Sequence, residues 1–381
     1  MYVFPSIILK VKTHVQSLDT QPGIPGQLSI YHQAEHYTTL EVYQAILSKY
    51  GFITHFSQLN KYVWLMTHKR RLVNLTVYQH VQELIGNTPL LELTRYPLPE
   101  EIRLFAKLEF MNPGGSVKDR IGKYLLEKAL ARGDVKPGGT VIEATAGNTG
   151  IGLAMAAVGL NLKVIFTVPQ KFSVEKQQLM KALGATVVNT PTSEGITGAI
   201  RKAESLAKEI PGSYIPGQFS NADNPLAHYE HLGPEIWRDL NGQVDVYVAG
   251  AGSGGTFMGV SRYLKEQNPL IKTCIVEPEG SILAGGPSGP HRTEGIGVET
   301  LSSFMDVSYF DAIHTISDED AFERVKDLAL LEGLLVGSSS GAAMQAALNE
   351  AVHAAPGSNI VVIFPDSSER YLSQNIYNGG Q

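Results

Sequence analysis

The chain has 381 residues, 43% hydrophobic and 18% charged, with a formal net charge of -6. That length leaves room for roughly two or three domains, and so mild a charge, with no Lys/Arg stripe, speaks against nucleic acid or an anionic membrane as partner. A single cysteine, Cys274, excludes an internal disulfide and a Cys-based zinc site and points to a reducing compartment, so a cytoplasmic location and no metal are expected.

In chain order, residues 1–73 are rich in Tyr and His and carry no strand-helix rhythm, which marks an N-terminal extension of unknown structure. The opening MYVFPSIILKVK falls far short of the roughly 20 apolar residues of a membrane span. It also lacks the basic leader and cleavage site of a secretory signal, so no targeting segment is expected. Leu40, Tyr43, Ile46 and Leu47 share a face of an expected helix over Leu40–Tyr50. Lys69, Arg70 and Arg71 read as a solvated lead-in, and Met66 is an alternative start for the enzyme.

From Asn74 onward, short apolar β-branched runs alternate with amphipathic helices. The expected strands are Thr140–Ala144, Lys163–Val168, Ala185–Asn189, Val244–Ala249, Thr273–Val276 and Ile360–Phe364. The spacing predicts a helix over Asp119–Arg132, where Ile121, Tyr124, Leu125 and Ala129 share a face and Gly133 forms the stop. Ser173 and Ser317 stand at expected N-caps, each ahead of an acidic residue. Apolar strands alternating with helices argue for parallel sheets covered on both faces, a doubly wound α/β fold. Ligands of such sheets bind beyond the carboxyl ends of the strands.

Three loops carry chemistry. In Asn112-Pro113-Gly114-Gly115-Ser116-Val117-Lys118-Asp119-Arg120, a lysine stands at a helix N-terminus, where the dipole disfavours its ammonium and lowers its pKa. The neutral amine is the form that attacks an aldehyde. Taken alone, Lys118 reads more simply as a surface lysine paired with Asp119. Thr145-Ala146-Gly147-Asn148-Thr149-Gly150 follows a strand and offers N-H groups, hydroxyls and a carboxamide suited to a carboxylate and a phenolic oxygen; a plain capped helix start fits it equally. Gly250-Ala251-Gly252-Ser253-Gly254-Gly255-Thr256, between VDVYVA and a helix beginning near Thr256, suits a phosphate. Gly250, Gly252 and Gly255 also match the dinucleotide fingerprint, with Glu277 about where a ribose-binding acid would stand, so this loop alone leaves an NAD-dependent Rossmann dehydrogenase open. The phosphate and carboxylate loops together favour Lys118 as a Schiff-base lysine, because they make a site for a phosphorylated aldehyde and an amino acid.

Over Ile85 to Ser373 the motifs IGNTPLLEL, NPGGSVKDR, TAGNTGIGLA, PGQFSNADNPLAHY, GPEIW, GAGSGGTFMGV, EPEGSIL, EGIGVE, EGLLVGSSSGAA and PDSSERYLS resemble the cysteine synthase and cystathionine β-synthase family of fold-type II pyridoxal-phosphate enzymes. The resemblance implies two doubly wound parallel-sheet domains of the tryptophan synthase β type. Residues 74–112 and 223–381 would form a larger cofactor-binding domain and 113–222 a smaller substrate-binding one. Lys118 would carry pyridoxal 5'-phosphate and act as catalytic base. Gly252, Ser253, Gly254, Gly255 and Thr256 would hold the phosphate, Asn148 the ring hydroxyl and Ser339 the ring nitrogen. Thr145, Ala146, Gly147, Thr149, Gln218 and Gly295 would meet the substrate.

A neutral hydroxyl at the ring nitrogen makes the cofactor a weaker electron sink than a carboxylate would, which suits elimination of a β-substituent and addition of a thiolate. The implied reactions join O-acetylserine or serine to homocysteine, giving cystathionine, or to sulfide, giving cysteine, through an α-aminoacrylate. Ala146 departs from the serine of most relatives. The chain ends soon after PDSSERYLS, so a C-terminal regulatory module and adenosylmethionine control are not expected. Cys274 reads as a buried small hydrophobe, and the haem thiolate of the animal enzymes has no counterpart before the core. EPEGSIL and EGLLVG beside ERYLS and SSGAA resemble the bacterial enzymes that combine O-acetylserine with homocysteine. A homodimer is implied. A non-catalytic partner of serine acetyltransferase usually lacks the lysine, which is present here, and the Asn148-Thr149 pair resembles the β-replacement branch rather than the dehydratases.

Overall fold

Strands that are apolar along their whole length need cover on both faces, and the chain meets that need twice. The computed structural model describes residues 77–378, apart from Ala146, Lys171 and Phe172. The expected helix at Leu40–Tyr50, the Met66 start and the Lys69, Arg70, Arg71 cluster lie outside the described residues. Tyr78–Gln381 forms a structural unit of its own, distinct from Met1–Val77.

That unit opens with an antiparallel pair, β1 (Leu90–Glu92) and β2 (Arg103–Leu108). After α1 (Lys118–Arg132) the chain builds a separate parallel sheet of β3 (Thr140–Ala144), β4 (Lys163–Pro169) and β5 (Thr186–Thr190). Its crossovers are α2 (Asn148–Ala157) and α3 (Val174–Ala182), and α4 (Gly195–Glu209) follows it. Two short helices, α5 (Asp223–Ala227) and α6 (Gly233–Asp239), lead back to the first sheet. There β6 (Val246–Gly250), α7 (Gly255–Gln267), β7 (Lys272–Pro278), β8 (Ala312–Ile316), α8 (Asp318–Asp327), α9 (Ser338–Ala351) and β9 (Asn359–Phe364) complete it. The strand order is β1-β2-β9-β6-β7-β8, parallel except for the first pair.

The expected strands form within a few residues of their predicted ends; β1, β2 and β8 were not legible. Two of these are edge strands, and β2 carries Lys107, whose charge hides an apolar run. Inside the fold that ammonium is fully buried and paired with Glu235 (3.1 Å) and Asp239 (3.2 Å). Ser173 and Ser317 do cap α3 and α8, accepting from the backbone N-H of Lys176 and Asp320. Gly133 ends α1 at φ 80°.

Period-two alternation divides each central strand between two cores. Ile360, Val362 and Phe364 of β9 join Val246 and Val248 of β6 under α8 and α9, while Val361, Ile363, Tyr247 and Ala249 pack with α6 and α7. The smaller sheet is sandwiched likewise, Val141, Val164 and Phe166 against α1, α2 and α3, and Ile142 and Ala144 against Ala199 and Ala203 of α4. Each fully buried branched side chain contributes about 1.5–3 kcal/mol. Cys274 lies within this core as a free thiol. Among the described residues no helix is long and apolar enough to cross a membrane.

The last strand, β9, returns to the middle of its sheet between β2 and β6. The connections leaving the carboxyl ends of these three strands therefore converge, as at the switch point where open α/β sheets bind ligands.

Candidate active site

Just beyond β9, the Pro365 carbonyl accepts from the Val117 N-H (2.9 Å), and Ser116 bridges to Asp366. These bonds fix the start of α1 at the switch point. Lys118 is the first residue of α1, and Val117 ahead of it supplies no side-chain cap. The lysine is partly buried and shares a small crevice with Gly252, Ser253, Gly254, Thr256 and Gly295. Burial pushes its ammonium below the ordinary lysine range, and the charge of Asp366 opposes this only in part. Asp119 is not its partner: that carboxylate accepts from the Gly114 N-H, and burial pushes its pKa up to about 7. The reading of Lys118 as a surface lysine paired with Asp119 therefore fails.

Opposite stands the glycine loop. The N-cap of α7, Gly254 at φ 83°, has no side chain to offer, and the one side-chain acceptor at the helix start is Ser253 Oγ, 3.5 Å from the Gly255 N-H. The first-turn N-H groups have no intrahelical acceptor, so open donors and the positive end of the dipole stand at the crevice. A Cβ on Gly252 would come within 2.5 Å of the Gly295 carbonyl oxygen, so glycine is what lets the two lining loops touch. The Gly297 N-H clips those loops together by donating to the Ala251 carbonyl (2.9 Å). Thr256 Oγ1 lies 3.2 Å from Nε2 of His228, whose imidazolium burial holds well below its ordinary range. Asn224 donates to Ser253 Oγ (3.0 Å), while its own Oδ1 is buried without a partner. Ser339, in the first turn of α9, is buried, with Oγ 3.8 Å from where a Cβ on Gly295 would stand.

The third loop opens α2, which is likewise uncapped at Gly147. Thr149 Oγ1 donates to Gln218 Oε1 (2.7 Å), so the fold brings together two expected substrate ligands from distant parts of the chain. The N-H groups of Gly217 (2.7 Å) and Gln218 (3.3 Å) donate to Glu143, whose pKa burial raises to about 7. Thr145 is buried, and its hydroxyl accepts from the Gly147 N-H (3.3 Å). Ala146 lies outside the described residues. Asn148 donates to Asp366 (2.7 Å) and accepts from Arg370, and the Tyr371 hydroxyl donates to the same Asp366 oxygen.

Sequence reasoning missed several charged groups here. Asp366 and Arg370 follow the last strand, where the carboxyl-end rule already points. Glu143, inside an apolar strand, and Lys176, inside a helix, announce nothing. Lys176 is buried, pairs with Glu294 (2.7 Å) next to Gly295, and lies 4.3 Å from the centre of the Tyr371 ring. Glu277, by contrast, is no ribose ligand. It is fully buried and accepts from the N-H groups of Leu283 (2.8 Å) and Ala284 (2.9 Å) and from Thr315 Oγ1 (3.0 Å).

The donor set fits a phosphorylated aldehyde. First-turn N-H groups at α7 suit its phosphate, a lysine biased toward the neutral amine suits its carbonyl, and the uncapped start of α2 suits an amino-acid carboxylate.

A family model described as pyridoxal-phosphate dependent enzyme matches residues 81–366. The O-acetylserine dependent cystathionine beta-synthase of Bacillus subtilis (strain 168) is 58% identical over 306 residues, covering 80% of this chain and 100% of that protein. A cysteine synthase of Helicobacter pylori is 55% identical over 299 residues, covering 78% of this chain and 98% of that one. The crystal structure of O-acetylserine dependent cystathionine beta-synthase from Helicobacter pylori is similar with a TM-score of 0.77 at 54% identity, over 80% of this chain and 100% of that one.

Proposed function

The chain belongs to the family of pyridoxal-phosphate dependent enzymes, and from that footing we propose that it joins O-acetylserine to homocysteine, releasing acetate and giving cystathionine. It is an enzyme of the cysteine synthase and cystathionine β-synthase kind, and pyridoxal 5'-phosphate is its cofactor. The observation that carries the reading is one crevice lined by both Lys118 and the glycine loop that opens α7. The choice of homocysteine rests on similarity to a protein named O-acetylserine dependent cystathionine beta-synthase along its entire length. The cysteine synthase at 55% identity favours sulfide as a second thiol.

Bound pyridoxal phosphate supplies an electron sink for the pair left at the substrate Cα when its proton departs. Lys118 Nζ, biased toward the neutral form by burial, is the base that takes that proton. Gly252, Ser253, Gly254, Gly255 and Thr256 would hold the phosphate on the larger sheet, Ser339 the ring nitrogen and Asn148 the ring hydroxyl. Thr145, Gly147, Thr149 and Gln218 would hold the substrate carboxylate on the smaller sheet, with Gly295 closing the other side. Orientation by these groups turns a two-substrate encounter into a positioned attack of sulfur at Cβ.

The test crosses O-acetylserine and serine with homocysteine and sulfide and identifies each product by mass spectrometry. Cystathionine from O-acetylserine and homocysteine is expected, and its loss in Lys118→Ala. A wild-type enzyme that makes only cysteine, or a Lys118→Ala protein with full turnover, overturns the reading.

A further inference from the structure

Replacing a leaving group with sulfide requires no recognition of the nucleophile beyond its sulfur. Homocysteine brings an ammonium and a carboxylate on its own α-carbon, and both must lose water on entering a crevice, which is costly unless each finds an opposite charge. The first substrate's carboxylate is provided for by the α2 loop, so the second amino acid needs a seat of its own.

One ion pair, its lysine buried and its glutamate half-buried, stands where the two sheets' loops meet. Lys176 projects from α3, on the smaller sheet, and its side chain is 4% exposed. Its Nζ would stand 3.7 Å from a Cβ on Gly147, in the loop that opens α2. Glu294 comes from the larger sheet's side, immediately before the crevice-lining Gly295, and its side chain is 29% exposed. Its backbone N-H donates to Ser338 Oγ (3.1 Å), which anchors the residue through its main chain.

Both partners have capacity left. The Lys176 ammonium carries three donors, directed here at Glu294 (2.7 Å) and held against the Tyr371 ring. The Glu294 carboxylate accepts from Lys176 and from Gln374 Nε2 (2.6 Å), and each oxygen has a second lone pair. A zwitterion laid across this pair matches it charge for charge, its carboxylate to Lys176 and its ammonium to Glu294, without leaving either residue unpaired.

We infer that the Lys176–Glu294 pair is the seat for the amino-acid end of the incoming thiol, and so the determinant of homocysteine over sulfide. The inference rests on the proposed use of homocysteine. In the reaction it serves, the C-O bond to acetate breaks, the C-S bond forms at Cβ, acetate leaves with the bonding electron pair and the thiol proton is released.

The test uses the complete chain loaded with cofactor and four thiols with O-acetylserine: homocysteine, sulfide, 4-mercaptobutyrate (no ammonium) and 3-mercaptopropylamine (no carboxylate). In Lys176→Gln the ratio of kcat/KM for homocysteine to that for sulfide should fall by about tenfold or more, the worth of one hydrogen bond to a charged group. The loss should appear in the KM for homocysteine and for 4-mercaptobutyrate. Glu294→Gln should reverse the pattern, penalising homocysteine and 3-mercaptopropylamine. Lys176→Arg should restore much of the ratio. A pair that merely holds the two sheets together would lower all four thiols alike, and that uniform loss overturns the inference. Wild-type enzyme needs no altered fold: if it uses the two truncated thiols as well as homocysteine, the seat does not exist. Wild-type production of cysteine without cystathionine overturns the proposed function as well, whereas cystathionine production with an unmoved ratio overturns the seat alone.

Discussion

Replacing Gly252 by alanine adds one methyl group, and the structure says where it goes. Its Cβ would stand 2.5 Å from the Gly295 oxygen, 3.5 Å from the Gly295 carbonyl carbon and 3.9 Å from Ile296 Cα, all of them backbone atoms. To reach the roughly 3.3 Å at which carbon meets a carbonyl oxygen, the two loops must part by about 0.8 Å. They cannot part freely, because the Gly297 N-H is bonded to the Ala251 carbonyl. Overpacking of this kind costs about 1–3 kcal/mol; the free protein relieves it by parting the loops, and closing them again onto the cofactor forfeits up to that amount, roughly 5- to 150-fold in affinity. Gly286→Ala is the control: its Cβ would meet only the Ser281 carbonyl oxygen, at 3.7 Å, an ordinary van der Waals contact that forces nothing to move and should leave cofactor affinity unchanged. The assay titrates apoprotein with pyridoxal phosphate and follows the visible absorbance, with denaturant unfolding to verify that both variants fold. Affinity within about twofold of wild type in Gly252→Ala, or an equal loss in the control, would refute the idea that this glycine exists to let the loops touch.

Glu143 supplies a pH-dependent prediction. Its pKa is raised to about 7 in the folded chain, against the ordinary 4.5, so between those values the folded state holds a proton that the unfolded state has lost. Stability falls as pH rises through that window, by about 1.4 kcal/mol per unit and about 3 kcal/mol in all, and the contribution is fully present only below it. Glu143→Gln, which accepts hydrogen bonds without titrating, should remove this slope in urea unfolding measured across the window; parallel slopes in the two proteins would contradict the burial argument. Arg120→Leu should destabilise the fold by about 3–5 kcal/mol, because it strips the cation from a buried carboxylate pair. The guanidinium holds Glu109 (2.6 Å) and Glu235 (2.8 Å) with side-chain exposures of 0% and 8%. An unfolding free energy within about 1 kcal/mol of wild type would show that those carboxylates find other partners.

The paired sheets and the three loops were legible because each is a local property. An unbroken apolar run such as NIVVIF dictates a strand covered on both faces, and serines ahead of α3 and α8 offer their hydroxyls to N-H groups only three residues away. Glycines in GAGSGG dictate a backbone that can approach an anion. A lysine opening a helix is likewise visible without any tertiary contact. Edge strands escaped notice because β8 buries only part of its surface, and β2 because its buried cation finds its counter-ions more than a hundred residues away.

By itself, then, the order of residues determined the backbone's periodicities, its caps and the anion-ready helix starts, since dihedral preference and hydrogen-bond reach act over a few positions. Only the tertiary structure decided which charges lose their water. Lys176 and Glu294 are 118 residues apart in the chain yet 2.7 Å apart in space, and Asp366 meets Asn148 only because β9 inserts beside β2. Desolvation depends on everything packed around a group, and those neighbours come from remote segments that no local pattern names.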